Sequence, residues 1–117
     1  MIDHVSIGVR GIARSKRFPL GYVCLSQGEG SLGYGRGVVA LWIGATERPV
    51  AADMKSGLHF CLTAPTVDSV NAFHAAALKS GGRDNGTPGL RADYGPGYYA
   101  AFVIDPDGYR IEAHCQS

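Results

Sequence analysis

Three residues in this sequence are of types that bind divalent metal ions: His4, His59 and Glu112. Each lies in a stretch with β-strand alternation, in which residues two apart share one face of the sheet. A carboxylate in the middle of a strand needs a charged partner or a metal ion, because an unpaired buried charge is costly. Two imidazoles and one carboxylate on adjacent strands form a 2-His-1-carboxylate site, which suits Fe(II), Mn(II), Zn(II) or Ni(II) and leaves coordination positions open.

The segments that carry the two histidines repeat one another. Residues 2–9 and residues 57–64 both alternate, with a histidine near the start on the face opposite the apolar side chains. A phenylalanine follows each histidine by 14 residues, inside a run with helical spacing. The chain is therefore predicted to be a tandem repeat of two modules.

Each module has the pattern β-α-β-β-β, with module 1 at residues 1–46, a linker at 47–56 and module 2 at residues 57–117. The fold class is α+β, with two tandem βαβββ modules. Strands are expected at residues 2–9, 21–26, 31–35 and 38–44, and again at 57–64, 83–86, 98–104 and 109–115. The last two strands flank the turn Asp105–Gly108, whose Asp, Pro and Gly positions favour a tight reversal.

The two helices differ in length. In module 2, Thr66 is a good N-cap and the glycines after residue 80 end the helix, with His74 expected at the surface or on the helix flank. In module 1, Pro19 follows Phe18 at once, which leaves a helix of barely two turns. Either that helix is truncated or residues between Phe18 and Pro19 are missing from the sequence, and the second explanation is our hypothesis.

The repeat also predicts how many protein ligands a metal would have. Glu112 comes four residues after Gly108, and four residues after Gly37 comes Leu41. The module 1 counterpart of Glu112 is then apolar, which predicts three protein ligands and leaves open positions for water or substrate. Trp42, on the other face of that strand, is expected in the core.

Each candidate ligand also has an ordinary structural explanation. His4 and His59 could each be a hydrogen-bonded strand histidine, and Glu112 could pair with Arg110 or Arg83. His114 shares the face of Glu112 and could support the metal ligands from outside the coordination sphere, but its place near the end of the sequence predicts a position at the rim.

Composition excludes several classes of function. The chain has 117 residues and a net charge of +1, which gives no electrostatic footprint for nucleic acid. We expect neither a signal peptide nor a membrane span, because no run of 18 apolar residues occurs. The three cysteines lack paired spacing, which favours a reduced, cytoplasmic setting. The 17 glycines are typical of many tight turns between short strands.

The chain resembles the vicinal oxygen chelate superfamily, which includes glyoxalase I, extradiol dioxygenases, fosfomycin-resistance thiol transferases and bleomycin-resistance proteins. The resemblance covers nearly the whole chain and rests on residues 2–9, residues 57–60 and the motif of residues 105–112. It implies paired βαβββ modules that form a cup-shaped mixed sheet around a divalent metal (Fe, Mn, Zn or Ni), with His4, His59 and Glu112 as ligands. Glyoxalase I-like enzymes have a second glutamate where this chain has Leu41, whereas the dioxygenases and fosfomycin-type transferases use two histidines and one glutamate.

The resemblance implies a small metal-dependent enzyme of the dioxygenase, lyase, isomerase or thiol-transferase type that acts on a small oxygen-chelating substrate. The alternative is a non-catalytic protein that sequesters a small molecule, as bleomycin-resistance proteins do. Tyr94 and Tyr98 are the candidate catalytic residues beside Glu112, and the stretch from Thr87 to Gly97 is a candidate lid. The candidate substrate-binding residues are Arg83, Arg91, Tyr99, Ser6 and Cys61. A homodimer is expected, in which the modules pair either within one chain or between two.

Overall fold

The computed structural model describes residues 2–10, 23–50 and 55–117, which lie in two compact units, Met1–Val50 and Ala51–Ser117. A four-stranded mixed sheet lies in each unit. The expectations for the first helix, and for a gap between Phe18 and Pro19, fall on residues 11–22, outside the described residues.

The first unit contains a sheet with the strand order β1-β4-β3-β2. Its strands are β1 (Val5–Val9), β2 (Val23–Gln27), β3 (Ser31–Arg36) and β4 (Val38–Ala45). β1 runs parallel to β4, and the other neighbours are antiparallel. The reversal between β3 and β4 is made by Gly37 alone, whose φ of 83° is a conformation that favours glycine.

The second unit repeats this order as β5-β8-β7-β6, again with a parallel pair at one edge. Its elements are β5 (His59–Thr63), the helix α1 (Val67–Lys79), β6 (Arg83–Leu90), β7 (Tyr98–Ile104) and β8 (Arg110–Gln116). The predicted α+β fold class is confirmed, because two sheets with one strand order follow each other along the chain.

The helix α1 begins and ends as the sequence predicts. Thr66 and Ser69 form a capping box, in which each hydroxyl accepts a hydrogen bond from the other residue's backbone N–H, at 3.1 and 3.0 Å. Val70 and Phe73 are buried in the core of the unit. His74 is expected at the surface or on the helix flank, and the structure excludes the surface, since its side chain is buried and its Nε2 lies 2.9 Å from Asp84 Oδ1 on β6.

The turn between β7 and β8 sets the register of the site. Asp105 Oδ1 accepts hydrogen bonds from the backbone N–H groups of Asp107 and Tyr109, at 2.9 and 2.8 Å, and the N–H of Gly108 donates to Asp105 O. This tight reversal places Phe102 directly opposite Glu112.

β6 is longer than predicted, and the candidate lid is correspondingly shorter. The strand continues to Leu90, with Gly89 opposite Ala100 on β7. A register shift around Gly86, whose φ is 151°, accommodates Pro88 in this edge strand. Only residues 91–97 connect β6 to β7, and Ala92–Tyr94 form a turn of 3₁₀ helix within that connection.

Candidate functional site

The structure brings His59 and Glu112 together on one face of the second sheet. Their strands, β5 and β8, are parallel neighbours, and Cys61 on β5 lies directly opposite Glu112 on β8. His59 precedes Cys61 by two residues and therefore lies on the same face of the sheet. His59 Nε2 lies 3.0 Å from Glu112 Oε2. The Glu112 side chain is 5% exposed, whereas the His59 side chain is 42% exposed, so the pair combines a buried acid with an accessible imidazole.

The second carboxylate oxygen of Glu112 accepts a hydrogen bond from Tyr98. The Tyr98 hydroxyl lies 2.6 Å from Glu112 Oε1, a short distance typical of a hydrogen bond to a charged oxygen. Burial, followed by this hydrogen bond, raises the pKa of the Tyr98 phenol. The phenol therefore keeps its proton at neutral pH and is held as a donor next to the acid.

The Cys61 thiol completes this network. Cys61 is exposed as a residue, but its sulfur is within hydrogen-bonding reach of both Tyr98 and Glu112. Partial burial of the sulfur, and then the negative charge of Glu112, raise the pKa of Cys61 to about 11. The thiol is therefore protonated at neutral pH.

Phe102 and Arg91 form a second layer around the pair. The Phe102 ring lies 6.1 Å from the His59 ring, and the Arg91 guanidinium carbon lies 5.4 Å from the centre of the Phe102 ring. Arg91 Nη2 also donates to the Thr87 carbonyl at 2.6 Å, which holds the cation beside the site. Sequence reasoning missed Phe102, although counting outward from the turn at Asp105–Gly108 pairs it with Glu112.

The other predicted substrate-side residues of this unit lie in different places. Tyr94 packs edge-on against Tyr98 at 5.4 Å and is 63% exposed. Tyr99 is not brought to the site: neighbours in a strand point to opposite faces, and its hydroxyl donates to Asn71 Oδ1 on α1 at 2.8 Å. Arg83 lies on the opposite edge strand, in the row of Ile104 and Arg110, three strand spacings or roughly 14 Å from the His59 backbone.

In the first unit, His4 directly precedes β1 and is exposed. Its Nδ1 lies 2.7 Å from Asp3 Oδ1. An Nδ1–H that donates to a carboxylate leaves the lone pair on Nε2, the arrangement that metal-binding histidines commonly have. Ser6 is exposed two residues further along the same strand.

The strand register corrects the predicted counterpart of Glu112. In the second unit Glu112 lies opposite Cys61, two residues after His59; in the first unit the residue opposite Ser6, two residues after His4, is Trp42. Leu41 instead corresponds to Ile111 on the other face. The pairing of β3 with β4 has a register shift between Tyr34 and Gly35, and an offset of one residue along a strand moves a side chain to the opposite face.

Trp42 has room in this position because its neighbour on β3 is Gly33. A Cβ atom on Gly33 would lie 2.9 Å from the indole Cζ3 of Trp42. The position remains apolar, as predicted, but it is filled by an indole ring rather than by an aliphatic side chain.

The donor set of the second unit fits a divalent metal ion. Two ligand atoms that share one ion through bonds of about 2.1 Å lie roughly 3 Å apart, and His59 Nε2 and Glu112 Oε2 meet that requirement at 3.0 Å. Among the described residues, no group of three or more His, Cys, Asp or Glu side chains is arranged to hold a metal ion. His59 and Glu112 are the two potential ligands that the second unit brings together.

The fold is that of several solved glyoxalase-related structures. A glyoxalase/bleomycin resistance protein from Albidiferax ferrireducens is 29% identical, with a TM-score of 0.74 and 96% of each chain covered. The fosfomycin resistance protein FosX from Mesorhizobium loti is 16% identical, with a TM-score of 0.68 and 97% of this chain and 90% of that chain covered. The bleomycin resistance determinant encoded on the transposon Tn5 is 19% identical, with a TM-score of 0.60 and 96% and 94% covered.

These neighbours confirm the predicted resemblance to the vicinal oxygen chelate superfamily, whose fold the chain has. A comparison of the sequence with family models and with curated proteins finds no match. No helix among the described residues is both long enough and apolar enough to cross a membrane.

Proposed function

We propose that the chain is a small metal-dependent enzyme in which His4, His59 and Glu112 bind one divalent cation and a small oxygen-chelating substrate completes the coordination. The observation that supports this most is the 3.0 Å contact between His59 and Glu112, at positions that the repeat predicts. The similarity in fold to FosX and to the glyoxalase-related protein supports the same class of function. Fe, Mn, Zn and Ni all suit this ligand set.

The cation would act as a Lewis acid that polarises a substrate oxygen. The chain's own groups would orient the ligands and the substrate. Tyr98 keeps its proton and donates a hydrogen bond to Glu112 Oε1 at 2.6 Å, so its hydroxyl would hold the carboxylate in place beside the substrate. The Arg91 guanidinium lies over the Phe102 ring and would pair with an anionic group of the substrate.

The alternative function is binding without catalysis, in the manner of a protein that sequesters a small molecule. Two observations favour it: both carboxylate oxygens of Glu112 already have partners within the protein, and Trp42 stands where a second carboxylate would be. The fold it shares with the Tn5 bleomycin resistance determinant is compatible with this function.

Metal content separates these two functions. The purified protein is analysed for bound metal, and its thermal unfolding is followed with and without Mn²⁺, Fe²⁺ or Ni²⁺. The enzyme predicts close to one equivalent of metal per chain and a higher unfolding temperature on metal addition. A protein that contains no metal and is not stabilised by any of the three ions would instead be a binding protein. Light scattering of the same samples tests the proposed homodimer.

A further inference from the structure

We propose that His114 is a positioning residue, which holds the Tyr98 ring so that its hydroxyl reaches Glu112. The inference rests on the proposed metal site and adds to it a residue that supports the site from outside, since His114 is none of the candidate ligands. The sequence predicts a position at the rim of the sheet for His114, whereas the structure shows specific contacts with Tyr98 and Tyr99.

The contact between His114 and Tyr98 is a parallel stack. The two ring centres are 3.7 Å apart and the ring planes differ by 15°. On its other side, His114 Nδ1 lies 3.3 Å from the backbone carbonyl of Tyr99. The imidazole is half-buried between these two contacts and therefore provides a fixed surface for the Tyr98 ring.

The strand register explains why Tyr98 needs such a surface. Tyr98 lies opposite Gln116, Ala100 opposite His114, and Phe102 opposite Glu112. The Tyr98 backbone is therefore two rows from Glu112, which is on the order of 14 Å along the strands. To bring its hydroxyl within 2.6 Å of Glu112, the side chain has to lie flat along the sheet, over the row of Ala100 and His114.

The small side chain of Ala100 leaves space for the tyrosine, and the flat imidazole of His114 fills the remainder of the row. Without the imidazole, the Tyr98 side chain could take other staggered rotamers that point toward solvent. Tyr94 contacts Tyr98 only edge-on and lies in the exposed connection, so it cannot replace that surface. His114 thus selects the rotamer in which Tyr98 donates to Glu112.

The test compares His114→Leu, which removes the flat ring, with His114→Phe, which keeps it. The first readout needs no metal: the protein is labelled with ¹³C at tyrosine Cζ, and the Tyr98 resonance is assigned with Tyr98→Phe. We expect the Tyr98 resonance to move toward that of free tyrosine in His114→Leu and to stay near its wild-type position in His114→Phe. The second readout is Ni²⁺ affinity by calorimetry, which we expect to weaken about two- to tenfold in His114→Leu and to recover in His114→Phe.

A His114→Leu protein that keeps both the Tyr98 resonance and the Ni²⁺ affinity of the wild type would overturn the proposal, as would His114→Phe behaving like His114→Leu. Circular dichroism of both variants checks that the fold is retained. If the wild type itself binds no Ni²⁺, the proposed metal site fails, whereas the ¹³C resonances still decide whether His114 positions Tyr98.

Discussion

Replacing Tyr98 by Phe removes the hydroxyl that donates a hydrogen bond to Glu112, the buried acid of the candidate site. The hydrogen bond that is lost spans 2.6 Å and ends on a carboxylate whose side chain is 5% exposed, so water replaces it poorly. A hydrogen bond to a charged group contributes about 1.5–3 kcal/mol. We therefore expect Tyr98→Phe to lower the free energy of unfolding of the metal-free protein by about 2 kcal/mol, measured by urea denaturation.

A double-mutant cycle with Glu112→Gln separates the charged hydrogen bond from the rest of the tyrosine. A neutral acceptor gives a hydrogen bond worth only about 1 kcal/mol, so Tyr98→Phe should cost roughly half as much in the Glu112→Gln background. Tyr94→Phe is the matched control, because Tyr94 is 63% exposed and should change stability by less than about 0.5 kcal/mol. An equal cost of Tyr98→Phe in both backgrounds would refute the charge on Glu112 as a source of the effect.

Three further predictions concern other residues around the site and the helix. Asp3→Asn should weaken Ni²⁺ binding about tenfold, because Asp3 Oδ1 orients the His4 ring from 2.7 Å; an unchanged affinity in calorimetry would contradict this role. The hydrogen bond from His74 holds the pKa of the Asp84 carboxyl below its usual value, so its stabilising effect is present above that usual value and is lost as the pH falls through the folded-state pKa. Asp84→Asn should accordingly flatten the acid side of a plot of unfolding temperature against pH, and identical plots would exclude the pair. Burial and the Glu112 charge raise the pKa of Cys61 to about 11, so iodoacetamide should alkylate Cys61 slowly at neutral pH and faster in Glu112→Gln, as followed by peptide mass spectrometry.

The sheets and the His59–Glu112 contact could be predicted because both depend on alternation and on repetition. Side chains two residues apart in a strand share a face whatever their neighbours are. The alternation of residues 57–64 is therefore sufficient to place His59 on the face opposite the apolar side chains. Likewise, the residues of the turn at Asp105–Gly108 specify a tight reversal, which fixes the pairing of β7 with β8.

Register between strands that are distant in sequence is harder to predict. Counting from Gly37 selects Leu41, because the count assumes that the two hairpins pair alike. The β3–β4 pairing has a register shift, and the parallel pairing of β1 with β4 places Trp42 opposite Ser6. A pairing register depends on side-chain packing across the sheet, which a count along one strand does not include.

Three other differences have identifiable causes. The glycines and the proline between residues 86 and 89 are typical of a loop, but an edge strand tolerates them because its outer N–H groups need no partner strand. The burial of His74 depends on Asp84, which approaches it from another element and so gives no signal in the helical pattern. The position of Tyr99, in contrast, could have been predicted from the sequence alone. Tyr99 alternates in step with Ala101 and Val103 along β7, which places it on the face that the helix covers.

The central claim, that His59 shares a metal ion with His4 and Glu112, is tested most directly by the side-chain ¹H–¹⁵N spectrum of the four histidines during titration with substoichiometric Mn²⁺. A paramagnetic ion broadens the resonances of the nuclei nearest to it. We predict that His4 and His59 broaden first, that His114 follows, and that His74, which lies on α1 and pairs with Asp84, broadens least. A spectrum in which His59 stays sharp while Mn²⁺ is added, or in which all four histidines broaden alike, would contradict the claim.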